Sequence, residues 1–186
     1  GWISVLAALP PRHCCSATAA AWREVVLGVV IERTMTRCSL GQLRRGAGED
    51  DDDLRAFREC CAAPLLGRCS EDLGGRWLGE LAAALRPIAD CCDASVLGRA
   101  VDCEAAEALL FAASCSSPRC CATATSAVER RVGAAAATEL YGLVTRVERC
   151  SRIAVKAGER VGAWAVVLDT AAACQQALRA LAAGME

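Results

Sequence analysis

Apolar residues recur along most of this chain at the three- and four-residue spacing of helix faces. Trp22, Val25, Val26, Val29 and Val30 make one such face. Ser16 is placed to cap it, which predicts an amphipathic helix to about residue 38. Gly46 and Gly48 break the pattern, and four aspartates follow at positions 50 to 53. They predict an acidic loop near 46–53, leading into the positive end of a short helix at 54–62 that stops before Pro64. Ser70, Glu71 and Asp72 predict a further N-terminal turn, with Gly74 and Gly75 delaying or kinking the helix. Trp77, Leu78, Leu81 and Leu85 then form a stripe that runs to Pro87. Asp93 is expected to cap a segment reaching Arg99, and Asp102 a helix from Glu104 to Ala113. Ser117 with Pro118 is a favourable start for another.

The last third is the most regular. Leu140, Leu143, Val144, Val147 and Ala154 share one face, and Gly158 is placed to end that helix. Val161, Trp164, Leu168, Ala171, Leu178 and Leu181 stripe the final one. Strand-like alternation is nearly absent, and no Asn-Gly or Asp-Gly hairpin signal occurs. The pattern predicts an all-α fold: a single helical domain over residues 1–186, a bundle of about seven or eight helices.

Composition changes this picture in three places. The chain is 54% hydrophobic and 23% charged, with a formal net charge of −1. That is globular, and it supplies no electrostatic case for nucleic acid or an anionic membrane. No apolar run is long enough to predict a membrane span. GWISVLAAL at the start is apolar but lacks a basic flank, and reads as a first helix rather than the tail of a signal peptide. Lys156 is the only lysine and asparagine is absent, so no N-glycan site exists.

The third change is cysteine. There are 14, with doublets at 14, 60, 91 and 120. An even number permits complete pairing but does not fix connectivity. A chain of 186 residues buries a core without staples. In an alanine-rich helical protein cysteine also serves as a small apolar residue. The expectation leans towards reduced thiols.

Catalytic and metal chemistry finds few candidates. His13 is the only histidine, beside Pro10 and Pro11, a poor place for a rigid site. His13, Cys14 and Cys15 lack the Cys-x2–4-Cys spacing that lets two thiolates share a zinc ion. The aspartates at 50 to 53 lack the alternating ligands of a calcium loop. Glu104 and Glu107 lie one turn apart, as on many solvent faces. The glycines match no phosphate loop, and Lys156 has no sign of a Schiff-base role. The expectation is a non-enzyme with no catalytic, cofactor or metal residues and no cofactor.

Two stretches carry a family resemblance. AAAWREVVLGVVIERTMTRC, with Trp22-Arg23 before an aliphatic stripe, resembles the aromatic-Arg helix of the poxvirus Bcl-2-like proteins. CSRIAVKAGERVGAWAVVLDTAAACQQAL is similar to that family's last two helices: a short polar turn, an aromatic at Trp164, then one amphipathic helix of about six turns. The resemblance implies a helical bundle in the host cytoplasm that inhibits innate immune or apoptotic signalling. Its implied partner is a host signalling adaptor or an amphipathic death-motif helix, with the Trp22 and Trp164 helices in the core. The middle, from Gly46 to Pro118, does not align.

The doublets also resemble the albumin and extracellular matrix protein 1 pattern. Seven residues separate Cys61 from Cys69, and ten separate Cys92 from Cys103. Adjacent helical residues point about 100° apart, so the members of a doublet reach different neighbours. Cys15 and Cys121 depart from that pattern, since their next cysteines are more than twenty residues away. This resemblance implies the alternative: a secreted, disulfide-stapled protein that binds a ligand or receptor.

Overall fold

A computed structural model of the chain describes residues 63–94, 96–122 and 126–183. Every regular element among them is helical. They are α1 (Ala63–Leu73), α2 (Gly75–Ala94), one 3-10 turn (Val96–Gly98), α3 (Cys103–Ser114), the single turn α4 (Arg119–Ala122), α5 (Ala127–Lys156) and α6 (Val161–Ala183). The predicted helices at 16–38 and 54–62, the acidic loop and Trp22 lie outside the described residues.

The periodic last third folds as its pattern predicts. On α5, Leu140, Leu143, Val144, Val147 and Ala154 are all buried. On α6 the buried residues are Trp164, Val167, Ala171, Cys174, Leu178 and Leu181. Their steps alternate three and four, the spacing that keeps one seam facing its neighbours. Val161 and Leu168 were expected in this stripe but fall off the seam: Val161 is exposed and Leu168 half-buried. Gly158, at φ 77°, turns the chain between the two helices, and Glu159 N donates to Ala154 O at 2.9 Å. That left-handed residue is what a glycine supplies without strain. α5 opens on a reciprocal cap: Ser126 Oγ accepts from Glu129 N, and Ser126 N donates to the Glu129 carboxylate. Asp102 Oδ1 caps α3 by accepting from the amides of Glu104 and Ala105. Ser117 Oγ accepts from Arg119 N at the start of α4.

Cross-contacts fix the helix directions. Gly75 lies against Gly133, Arg86 pairs with Glu139, and Asp90 and Asp93 both pair with Arg146. The numbers rise together, so α2 and α5 are parallel. Tyr141 meets Arg179 and Glu148 meets Gln175, so α5 and α6 are antiparallel. Arg160 donates to Val101 O at 2.9 Å, which sets the starts of α3 and α6 side by side. The main packing contacts are α2 on α5, α5 on α6 and α6 on α3, with a lighter α2–α3 contact closing the ring. At the first crossing, a Cβ on Gly75 would stand 3.0 Å from Gly133 Cα. The two backbones touch there because neither residue carries a side chain.

Pro64 lies in α1, which is described from Ala63, and the helix expected to stop before it lies outside the described residues. Three expectations for the middle of the chain are corrected. Ser70 does not start a helix. It lies inside α1, fully buried, and its hydroxyl donates to Gly67 O and accepts from Ser117 N. The helix break comes at Gly74, φ 56°. Pro87 does not end its stripe, because α2 runs through it to Ala94. Pro87 is exposed, while Leu85, Ala89 and Cys92 on either side of it are buried. Packing of the buried residues on both sides keeps the helix running against proline's local preference. Asp93 does not cap a helix to Arg99: it lies in the last turn of α2, bound to Arg146, and only the 3-10 turn follows.

Two tryptophans anchor opposite ends of the bundle, each at 0% exposure. Trp77 Nε1 donates to Ser116 Oγ at 3.1 Å. Trp164 Nε1 is buried without a hydrogen-bond partner among the described residues. Replacing each by phenylalanine removes similar apolar volume but opposite polar balances. Trp77→Phe takes the donor from a buried serine, whereas Trp164→Phe removes an unsatisfied donor. Urea unfolding is expected to show Trp77→Phe more destabilised than Trp164→Phe by about 1–2 kcal/mol.

Candidate functional site: buried thiols beneath the turn after α2

The 3-10 turn between α2 and α3 lies over three cysteines. Leu97 and Gly98 are both left-handed, at φ 69° and 62°. For leucine this conformation is strained. For Gly98 it is accompanied by a steric demand: an added Cβ would stand 2.5 Å from the Trp164 ring and 2.8 Å from Cys150 Sγ. The turn is strapped to the α5–α6 connection by Arg99 on Glu159 and by Arg160 on Val101 O. Beneath it are Cys92 from the end of α2, Cys103 from the start of α3 and Cys150 from α5, all buried. Cys92 and Cys150 lie within electrostatic reach of one another.

The described cysteines are free thiols: 91, 92, 103, 115, 120, 150 and 174. Cys91 is exposed, and every other one except the half-buried Cys115 is buried. Cys120 Sγ is 2.9 Å from Gly74 O and Cys103 Sγ 3.9 Å from Val101 O, so each donates to a backbone carbonyl. Burial pushes the Cys103 and Cys115 thiols up to about 11 and Cys174 up to about 12. Burial also raises Cys92 strongly, reinforced by Cys150. Cys150 is raised by burial, partly offset by the neighbouring Cys92 thiol. A thiol held protonated is a weak nucleophile and a weak metal ligand. Among the described residues no group of three or more His, Cys, Asp or Glu is placed to hold a metal ion, and no helix is long and apolar enough to cross a membrane.

The other residues singled out in the sequence are dispersed. His13, Cys14, Cys15, Cys38, Cys60, Cys61 and the aspartates at 50 to 53 lie outside the described residues. Lys156 is exposed in the last turn of α5. Glu104 and Glu107 do not share a solvent face: Glu104 is half-exposed, but Glu107 is 8% exposed. The reason is α3 itself, which buries eight of its twelve residues because it is packed on more than one side. The cysteine pair was missed. Its signal was present, since Cys92 lies seven positions after Leu85 on the α2 stripe and Cys150 seven after Leu143 on α5. Val128 and Val132, one turn apart near the start of α5, are the most exposed large apolar side chains described, at 69% and 59%.

No protein-family model matches the chain, and no curated protein or solved structure matches it.

The buried thiols give stability a defined pH dependence. In the unfolded chain they ionise near 9, and in the folded chain Cys103, Cys115 and Cys174 ionise near 11 to 12. Between those limits the unfolded state holds fewer protons, so stability is full below about pH 9 and falls as pH rises. Each such thiol contributes a slope of at most about 1.4 kcal/mol per pH unit. Urea unfolding between pH 8 and 10 is expected to show this fall, and Cys174→Ala is expected to make it shallower.

Proposed function

We propose that the chain is a non-enzymatic protein–protein interaction module. In this reading it is an intracellular inhibitor of host innate immune or apoptotic signalling, as the resemblance to the poxvirus Bcl-2-like proteins implies, built as a bundle of seven or eight helices. The supporting observation is the C-terminal hairpin. α5 ends at a short polar turn, and Trp164 is fully buried in the first turn of α6, which runs for 23 residues. That is the order of features on which the resemblance rests. The reduced thiols agree with it, because a reducing compartment keeps buried cysteines as apolar core residues. The partner in this reading is a signalling adaptor or an amphipathic death-motif helix, bound through apolar anchors one turn apart.

A second reading, a secreted protein that binds a ligand or receptor, is favoured by one observation: Cys92 and Cys150 lie buried at the same end of the α2–α5 seam. The two readings separate on binding and on thiol count. Titrating labelled death-motif helix peptides and purified adaptors onto the full chain is expected to give saturable binding to one of these classes. Absence of binding to both overturns the first reading. Denaturing alkylation of the natively expressed protein is expected to label most of the 14 cysteines without reductant. If none are labelled, the secreted reading replaces it.

A further inference from the structure

The doublet at 91 and 92 divides between two environments. Cys91 is exposed, and Cys92, about 100° further round the helix, is 7% exposed and faces α5. Cys150, also 7% exposed, lies at the same level of α5 and within electrostatic reach of it. Their relation follows from the α2–α5 register. Cys92 and Cys150 are 58 positions apart, as are Gly75 and Gly133 at the other end of the same pair of helices. Arg146, one turn before Cys150, binds Asp90 Oδ1 and Asp93 Oδ2, which flank Cys92. The ends of α2 and α5 are therefore clamped beside the two sulfurs. On a third side Gly98 closes over Cys150 with no room for a side chain between them.

We propose that Cys92 and Cys150 are a covalent modification site: a latent disulfide pair that joins α2 to α5 when a low-molecular-weight disulfide, such as oxidised glutathione, reaches the bundle. The inference rests on the described register and not on the proposed signalling role. Either thiol can open the exchange; taking Cys150 as the attacking group, its proton passes to solvent. Its thiolate displaces one glutathione thiolate, which takes up a proton, and leaves a mixed disulfide on Cys150. Cys92 then gives its proton to solvent and attacks the Cys150 sulfur, expelling the second glutathione thiolate. Two protein thiols are oxidised and one glutathione disulfide is reduced to two thiols. Burial makes the first step slow, so the pair stays reduced under transient oxidation and closes under sustained exposure. The other described buried thiols have different surroundings. Cys120 and Cys103 donate to backbone carbonyls, and Cys174 sits in the α6 seam. Once formed, the bond closes a long loop, which restricts the unfolded chain.

The test uses the full reduced chain, incubated with oxidised glutathione under native conditions, quenched with acid and alkylated. Peptide mapping is expected to find Cys92 joined to Cys150, with the intact mass lower by one pair of hydrogens for that bond. The crosslink is expected to persist in Cys91→Ser and to raise the urea midpoint of the oxidised protein. Mapping on the unsubstituted chain does not depend on any variant folding. The proposal is overturned if Cys92 and Cys150 both remain alkylatable, or if either is joined chiefly to another cysteine. It is also overturned if the folded chain yields the same mixture of pairs as the chain oxidised in urea.

Discussion

The described architecture depends on the parallel contact of α2 with α5. Parallel neighbours cannot be joined by a short turn, so the chain must return along the bundle before it can start the second of them. α3 makes that return, and it comes to rest against α6 rather than chiefly against α2. The antiparallel α5–α6 hairpin then completes the ring. The contact itself is held at three levels. Glycines at 75 and 133 let the backbones touch at one end. Leu78, Leu81 and Leu85 meet the α5 stripe in the middle, all within one core. Arg146 holds Asp90 and Asp93 at the other end. The charged clamp is half-exposed and contributes little energy by itself, so its main effect is on register.

Register explains why the thiols lie where they do. Alanine and cysteine fill much of the interface: Ala82, Ala89, Cys92, Ala136, Ala137, Cys150 and Ala154 are all buried. Small residues bring helix axes close, and cysteine adds a polarisable sulfur with little side-chain entropy to lose. At the top of the bundle the close approach extends to the connecting turn. Gly98 has to be left-handed and without a side chain, because Trp164 and Cys150 occupy the space beneath it. Leu97 accepts a strained conformation just before it, so packing below the turn overrides local backbone preference. The buried, unpartnered Trp164 Nε1 belongs to the same compromise: the indole fills the volume under the turn, and its polar edge is the expense.

The helices that were legible are those in which one period runs uninterrupted. α6 alternates three and four from Trp164 to Leu181, and α5 carries its stripe to a glycine in the expected place. The middle of the chain was less legible because its punctuation is ambiguous. Pro87 reads as a stop, yet it lies within a helix, with buried apolar residues on both sides of it. Ser70 reads as a cap, but its hydroxyl is used to tie α1 to the segment after α3. Such a bond spans nearly fifty positions and leaves no local trace. The Ser126–Glu129 cap did leave a local trace, a serine three before a glutamate. The thiol pair stands between these cases. Each cysteine lies on a readable stripe, but their meeting depends on the relative shift of two helices, which no single stripe contains.

That distinction bears on how the cysteines should be understood. A staple is selected by the pairing of two sulfurs, and the surrounding helices need only bring them within reach. Cysteines used as core residues are placed by volume, and any pairing between them follows from packing. The described thiols follow the second logic. Cys103, Cys120, Cys150 and Cys174 sit at positions where a small apolar side chain completes a helix face, and two of them satisfy their S–H on backbone carbonyls. Cys92 and Cys150 come near each other because both lie at the end of the α2–α5 seam, where the glycine turn closes over Cys150. A bond between them would therefore reinforce a geometry that packing already maintains. Reduced or oxidised, the seam keeps the same register, and the oxidation state alters how firmly the bundle is closed without altering its topology.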